Sequence, residues 1–247
     1  MLNKVVHGEP TDRPNLLIAH GLYGSARNWG VIAKRLSTDR QVVVVDMRNH
    51  GQSPWYDSHS YADMAADLAE VITGQWDVLG HSMGGKAAMV LASLHPEKVN
   101  KLIVADIAPV VYTHTQMGPL DAMRAVDLNI ASRAEAKAQL TGLEPGVDDF
   151  LLQSLDLKGQ RWTLNLDVLA AEMDKIIGFP QLAAAFAGEA LFLSGATSDY
   201  VQHAHRPEIK RLFPNAKFAK IPDVGHWLHA EKPREFEAAV AAFLTMN

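Results

Sequence analysis

Residues 77–94, DVLGHSMGGKAAMVLASL, decide the fold of this chain. They open with a short apolar run, continue into a stretch rich in Ala, Val and Leu, and carry a G-x-S-x-G pattern between the two, with Ser82 at its centre. This order predicts a strand, a tight turn and a helix, since the flanking glycines leave space for a strained backbone at the serine. The helix would begin beside Ser82 and point its partial positive charge at that position. We therefore predict that Ser82 is a nucleophile.

Similar apolar runs recur on both sides of this stretch and alternate with amphipathic segments. Continuous runs of this kind are typical of strands that are covered on both faces of a parallel sheet. The intervening segments repeat their apolar residues at helical spacing. The alternation predicts an α/β fold, with a mostly parallel central sheet and helices on both faces. The predicted strands are residues 16–19, 42–46, 77–80, 102–106, 191–194 and 217–221, and the clearest helices are 61–72, 83–94 and one opened by Pro233.

The alternation stops between residues 112 and 180. This stretch reads as helices with no strand among them, and strand character resumes at Leu191. A helical insertion in such a sheet is expected to cover the strand ends, where ligands bind. We therefore predict a core formed by residues 1–111 and 181–247, with residues 112–180 as a helical lid or cap.

Two further motifs fit the same chemistry. A strand runs into His20-Gly21-Leu22-Tyr23-Gly24, the type of loop that supplies one oxyanion donor, while the residue after the nucleophile supplies the other. These positions predict the backbone N–H groups of Leu22 and Met83 as an oxyanion hole. Late in the chain, His226 stands between a predicted strand and the last helix, where a general base is expected.

The acid partner of the histidine has two candidates. Asp106 ends a predicted strand at the same edge of the sheet as Ser82, and Asp199 follows the strand 191–194, a frequent place for the acid. However, Asp199 lies four residues after Gly195, where a G-x-x-D pattern has three and finds Ser198. The pattern alone leaves the two aspartates nearly equal.

Composition excludes several other classes. The 247 residues include no cysteine, which excludes disulfides, thiolate metal sites and a Cys nucleophile. The formal net charge of −5 does not favour a nucleic-acid partner, and no apolar run reaches the roughly 20 residues of a membrane-spanning helix. The polar first 14 residues indicate no signal peptide. We expect a cytoplasmic protein that needs no metal or organic cofactor, and composition does not define its oligomeric state.

Several segments together resemble the YbfF-type bacterial esterases, a branch of the α/β-hydrolases that also has mitochondrial relatives. They are HGLYGS (20–25), DMRNHGQS (46–53), GHSMGGKA (80–87), LIVADIAPVVY (102–112), NLDVL (165–169) and GHWLHAEKP (225–233). The resemblance implies an α/β-hydrolase fold and a triad of Ser82, His226 and Asp106, with Asp199 incidental. It implies a small-molecule substrate, a short-to-medium acyl ester or an acyl-CoA thioester.

The same three residues also serve other activities, which remain alternatives at this point. A triad of this kind supports cofactor-free haloperoxidase or perhydrolase activity and hydrolysis of carbon–carbon bonds, and a non-catalytic ligand receptor could share the fold. Arg48, Asn49 and His50 follow a predicted strand, so they are expected either to contact polar substrate groups or to order their loop.

Overall fold

The computed structural model describes residues 1–246 of the chain. These described residues include nine strands: β1 (Lys4–His7), β2 (Leu16–Ala19), β3 (Val42–Val45), β4 (Trp76–His81), β5 (Val99–Ala105), β6 (Leu155–Asp156), β7 (Arg161–Trp162), β8 (Glu189–Gly195) and β9 (Ala216–Ile221). Seven of them form one sheet in the order β1-β3-β2-β4-β5-β8-β9. All neighbours in this sheet are parallel except β1, which pairs antiparallel with β3 at the edge. The predicted mostly parallel sheet is confirmed.

The helices lie on both faces of the sheet. They are α1 (Gly30–Leu36), α2 (Tyr61–Val71), α3 (Met83–Leu94), α4 (Met117–Ala125), α5 (Arg133–Gln139), α6 (Val147–Leu152), α7 (Leu166–Ala171), α8 (Met173–Ile177), α9 (Arg206–Leu212), α10 (Leu228–Glu231) and α11 (Pro233–Thr245). Helices α2 and α3 contribute to one hydrophobic core, whereas α1 and α11 pack into a second core on the other face. A buried hydrophobic layer therefore covers each face of the sheet.

The segment between β5 and β8 is not wholly helical, so the prediction that it contains no strand is wrong. Strands β6 and β7 pair antiparallel as a small separate hairpin within it. The carboxylate of Asp156 accepts a hydrogen bond from the Gly159 N–H at 3.0 Å and so closes the turn. Strands of two residues are too short to produce a period in the sequence. The rest of this insertion consists of α4 to α8 and their connections.

None of the helices within residues 1–246 combines the length and the apolar character needed to cross a membrane.

Candidate active site

Ser82 lies at the sharp turn between β4 and α3, as the motif predicts. Its φ of 53° and ψ of −122° place it in a region that costs L-residues energy, on the order of 1–3 kcal/mol. The Ser82 N–H donates to the carbonyl of Ala105 at 3.0 Å, which extends the ladder between β4 and β5 past the strand end. The surrounding sheet thus holds the serine in its strained conformation.

Two glycines make this turn possible because no side chain fits beside them. A Cβ on Gly80 would lie 2.2 Å from the Gly84 carbonyl oxygen, and one on Gly84 would lie 2.3 Å from the Ala19 oxygen. The helix can therefore start directly against β2 and the end of β4. This close approach brings the first turn of α3 to the carboxyl edge of the sheet.

Ser82, His226 and Asp106 form a chain of hydrogen bonds. His226 Nε2 lies 3.0 Å from Ser82 Oγ, and His226 Nδ1 lies 2.8 Å from Asp106 Oδ2. The Asp106 side chain is fully buried, whereas that of His226 is 18% exposed. Because an ionised carboxylate only accepts, Nδ1 carries the proton and Nε2 faces the serine hydroxyl as an acceptor. This tautomer is the one that can remove the serine proton.

The two aspartate candidates occupy different environments. Asp106 accepts three hydrogen bonds: besides that from His226, Gly195 N–H donates to Oδ1 at 3.1 Å and Ser198 Oγ donates to Oδ2 at 2.5 Å. Asp199 is exposed, and within residues 1–246 it makes no hydrogen bond to His226. Ser198 stands where the G-x-x-D pattern expects an aspartate. It donates a hydrogen bond to Asp106, the aspartate that contacts His226. That offset was the one sequence signal that marked Ser198.

The N–H groups of Leu22 and Met83 are both available. Neither donates a hydrogen bond to another group among residues 1–246. Met83 is the first residue of α3, where backbone donors lack an intrahelical partner. The loop of Leu22 lies over Ser82, since a Cβ on Gly21 would be 3.2 Å from Ser82 Cβ.

A cavity of about 790 Å³ opens at Ser82, between the edge of the sheet and the insertion. Its walls include Ser82 and His226 from the core, together with Val147 and Phe150 from α6. Of the insertion's methionines, Met123 and Met173 are buried in the core and are not part of the cavity wall. The volume falls in the range of pockets that enclose a small organic ligand.

The imidazole of His226 packs against Tyr200, which sequence reasoning did not identify. The two rings stack at 3.9 Å with an interplanar angle of 19°. Tyr200 is mostly buried, and burial together with the negative charge of Asp106 raises the pKa of its hydroxyl to about 12. Its hydroxyl lies 3.0 Å from His114 Nε2, so the ring also connects the histidine to the start of the insertion.

Arg48, Asn49 and His50 order their loop and do not border the cavity in the described part of the chain. All three are buried. Arg48 binds both carboxylate oxygens of Asp67, at 2.6 and 2.9 Å, and the Asn49 carbonyl accepts from the N–H of Asn165 in the insertion. These contacts fit the second of the two predicted roles, ordering of the loop, and not contact with substrate.

Lys86 is a buried amine in the wall of the cavity, four residues after Ser82, and sequence reasoning did not identify it. Its Nζ donates to the carbonyls of Ile177 at 2.9 Å and Gly178 at 2.5 Å, at the end of α8. The same Nζ also lies 4.7 Å from the centre of the Tyr112 ring. It forms no ion pair with a carboxylate among residues 1–246. Burial lowers the pKa of Lys86 to about 7.

No group of three or more His, Asp or Glu side chains in residues 1–246 is arranged to hold a metal ion. His229 is buried and stacks on Trp29, with 4.3 Å between the ring centres. Its position is that of a core side chain.

The strand order, the strained serine and its hydrogen-bonded histidine define a class, the α/β hydrolases with a serine nucleophile. The family model described as "Alpha/beta hydrolase family" matches residues 16–239 of the chain. The mouse protein "sn-1-specific diacylglycerol lipase ABHD11" is 42% identical, over 94% of this chain and 81% of its own length. "Esterase YbfF" of Escherichia coli is 37% identical, over 93% of this chain and 92% of its own. A solved structure, "Marine microorganism esterase", is 39% identical with a TM-score of 0.92 and covers 98% of both chains.

This chain belongs to the α/β-hydrolase family, among the relatives of the YbfF-type esterases. The predicted family and fold are therefore confirmed.

Proposed function

We propose that Ser82, His226 and Asp106 are the catalytic triad with which this serine hydrolase cleaves carboxylic esters. The observation that carries the proposal is the continuous chain from Ser82 Oγ through the imidazole to a fully buried carboxylate. Its esterase and lipase relatives support the reaction class. No step of this chemistry needs a metal or an organic cofactor.

The reaction begins when His226 Nε2 takes the proton of Ser82 Oγ as the oxygen attacks the ester carbonyl. Asp106 stabilises the imidazolium and keeps its proton on Nδ1, without itself being protonated. The imidazolium then gives its new proton to the leaving alcohol, which departs and leaves an acyl group on Ser82. Water, deprotonated by the same histidine, attacks this acyl-enzyme and releases the acid.

The negative oxygen of each tetrahedral intermediate is proposed to bind the N–H groups of Leu22 and Met83. The unpartnered state of both donors in the described structure supports this assignment. The N-terminus of the 12-residue helix α3 adds its partial positive charge at the same place. Loss of one donor of this kind costs about 3–4 kcal/mol of transition-state stabilisation.

For the substrate, we propose short-to-medium acyl esters, with acyl-CoA thioesters as a second group that reacts through the same acyl-enzyme. The cavity of about 790 Å³ and its apolar wall from α6 support an acyl substrate. We propose residues 112–180 as its cap and the cytoplasm as its location. The position of the insertion over the strand ends supports the cap.

The test compares Ser82→Ala with Ser93→Ala, a buried serine in the last turn of the same helix. A series of p-nitrophenyl esters and acyl-CoAs of increasing chain length is supplied to both variants and to the wild type. Ser82→Ala is expected to lose at least about 10⁴-fold in kcat and all labelling by a fluorophosphonate, since removal of a triad serine costs about 10⁶-fold elsewhere. Ser93→Ala retains both. Ester turnover by folded Ser82→Ala at the wild-type rate would refute the role of the serine.

A further inference from the structure

Tyr23 directly follows Leu22, and every one of its polar groups is engaged. Its backbone is in the left-handed region, with φ of 63°, which is uncommon for a bulky residue. Its N–H donates to His50 Nε2 at 3.2 Å, and its carbonyl accepts from Ser154 Oγ at 3.1 Å. Its hydroxyl donates to the Gln116 carbonyl at 2.7 Å. A strained residue persists only when its surroundings over-determine it, and these contacts supply that constraint.

On the core side, the loop after β2 that carries Leu22, here called the oxyanion loop, and the loop after β3 each supply a histidine that binds the other loop. His50, from the second loop, accepts from Tyr23 in the first, and His20, from the first, accepts from the Met47 N–H at 2.9 Å. The two rings lie 5.2 Å apart. Each loop therefore holds the other by a bond from a backbone N–H to an imidazole nitrogen.

The hydrogen bond made by Nδ1 determines which nitrogen of each imidazole carries the proton. His50 Nδ1 lies 2.8 Å from the Arg48 carbonyl and His20 Nδ1 lies 2.7 Å from that of Gly21, so each Nδ1 carries the proton and each Nε2 is a bare acceptor. Burial lowers the pKa of His50 well below its ordinary value, and the neighbouring histidines lower it further. Burial likewise lowers the pKa of His20. The acceptor form that Tyr23 requires is thus the stable one.

On the other side, the insertion binds the same residue twice. Gln116 precedes α4 and Ser154 follows α6, so two separate segments of the insertion converge on Tyr23. The peptide that carries the Leu22 carbonyl and the Tyr23 N–H is therefore set jointly by a core histidine and by the docked insertion. A rotation of this peptide changes the ψ of Leu22. Because the backbone is continuous, the preceding peptide, which carries the Leu22 N–H, is displaced as well.

We propose that Tyr23 is a positioning residue through which His50 and the docked cap hold the Leu22 N–H in the oxyanion hole. The inference rests on the proposed function and goes beyond it, because it makes catalysis depend on cap contacts that touch no reacting atom.

The first test is a matched pair of substitutions, His50→Leu and His50→Gln. Both lose the bond to the Arg48 carbonyl, but only glutamine keeps an acceptor near the place of Nε2. His50→Leu is expected to lower kcat about 10- to 100-fold, which is less than the roughly 10²- to 10³-fold for outright loss of one oxyanion donor because the Leu22 N–H is displaced and not removed, while KM changes less than about threefold. His50→Gln is expected to recover most of that loss. Equal losses in the two variants, or a loss confined to KM, would overturn the proposal.

The second test leaves His50 unchanged and measures the contribution of the contact between the insertion and Tyr23. Ser154→Ala removes the bond to the Tyr23 carbonyl, and Ser93→Ala removes a bond of the same kind, from Ser93 Oγ to the Ala184 carbonyl at 2.7 Å, outside the cavity wall. Both should lower the free energy of unfolding by about 1 kcal/mol. Only Ser154→Ala should lower kcat, by about 3- to 10-fold. Equal kcat values for the two variants contradict the proposal, even if His50→Leu fails to fold.

A trifluoromethyl ketone separates positioning from mere destabilisation. This inhibitor adds to the serine as an anionic tetrahedral adduct, so its inhibition constant reports the oxyanion hole. In the variants of His50 and Ser154, that constant should rise in proportion to the fall in kcat; an unchanged constant overturns the inference. If the wild type itself shows no turnover that depends on Ser82, the proposed function fails instead, and the two failures are distinct.

Discussion

Asp106→Asn is the substitution that tests the proposed triad most directly. The carboxylate accepts from three donors: His226 Nδ1 and Ser198 Oγ at Oδ2, and Gly195 N–H at Oδ1. An asparagine amide offers one oxygen and one NH₂ group. With the NH₂ at the Oδ1 position, two N–H donors would face each other at Gly195. The amide therefore turns its oxygen to Gly195 and its NH₂ towards His226.

That orientation reverses the tautomer of the histidine. The NH₂ group of the introduced amide donates to Nδ1, so the ring proton moves to Nε2 and points at Ser82 Oγ, 3.0 Å away. Nε2 can then no longer take the serine proton. The same change in a well-studied serine protease triad lowers kcat about 10⁴-fold. We expect a loss of about 10³- to 10⁴-fold here, which corresponds to about 4–5.5 kcal/mol in the activation free energy.

The assay is steady-state hydrolysis of a p-nitrophenyl ester by the wild type, Asp106→Asn and Asp199→Asn. Asp199 is the matched control, because it lies in the same cavity wall but is exposed. Its substitution should change kcat less than about threefold, as expected for an exposed charge. If Asp199→Asn collapses the rate and Asp106→Asn does not, the assignment of the acid is wrong.

Two further predictions concern stability. Below about pH 7, Lys86 carries its proton in both the folded and the unfolded chain. Between about pH 7 and 10.5, the ordinary pKa of lysine, only the unfolded chain keeps this proton. The free energy of unfolding contributed by Lys86 therefore increases as the pH rises through this range. Lys86→Met should remove a slope of at most about 1.4 kcal/mol per pH unit, which urea unfolding of both proteins between pH 7.5 and 9.5 measures, and identical slopes would contradict the burial of a titrating ammonium. Gly84→Ala should lower the free energy of unfolding by more than about 2 kcal/mol, because the added Cβ would lie 2.3 Å from the Ala19 oxygen; a midpoint unchanged in thermal denaturation would argue against the tight elbow.

The sheet and two members of the proposed triad could be predicted because their signals are local. Runs such as residues 42–46 are apolar at nearly every position, and the resulting strand is buried at each of its residues. The glycines around Ser82 mark a turn with little space, and the contacts of Gly80 and Gly84 bear this out. His226 follows from chain order, since a base must come after the last strand in this arrangement.

Other features have no local signal, because tertiary contacts create them. The hairpin of β6 and β7 has two residues in each strand, and Leu155 and Trp162 pair in it while buried against the rest of the insertion. Strand β1 is half-polar and largely exposed, and it exists because β3 offers an edge with which it pairs. The stacking of Tyr200 on His226 is a tertiary contact, so no local pattern in the sequence indicates it.

The position of the acid shows where sequence spacing loses its power to decide. Strands β5 and β8 are neighbours in the sheet, and Ala105 pairs with Leu193, so the residue after β5 and the loop after β8 reach the same edge. A carboxylate from either place can meet an imidazole that arrives from the other end of the chain. The two positions differ in how deeply they lie. The Asp106 N–H donates to the Leu193 carbonyl at 2.9 Å, which holds the aspartate inside the edge of the sheet. Ser198, in the loop after β8, donates a hydrogen bond to the Asp106 carboxylate. An aspartate in place of Ser198 would put two carboxylates at hydrogen-bond distance, where both cannot stay ionised. With Asp106 as the proposed acid, Ser198 can donate a hydrogen bond to its carboxylate, whereas a second carboxylate at position 198 would repel it.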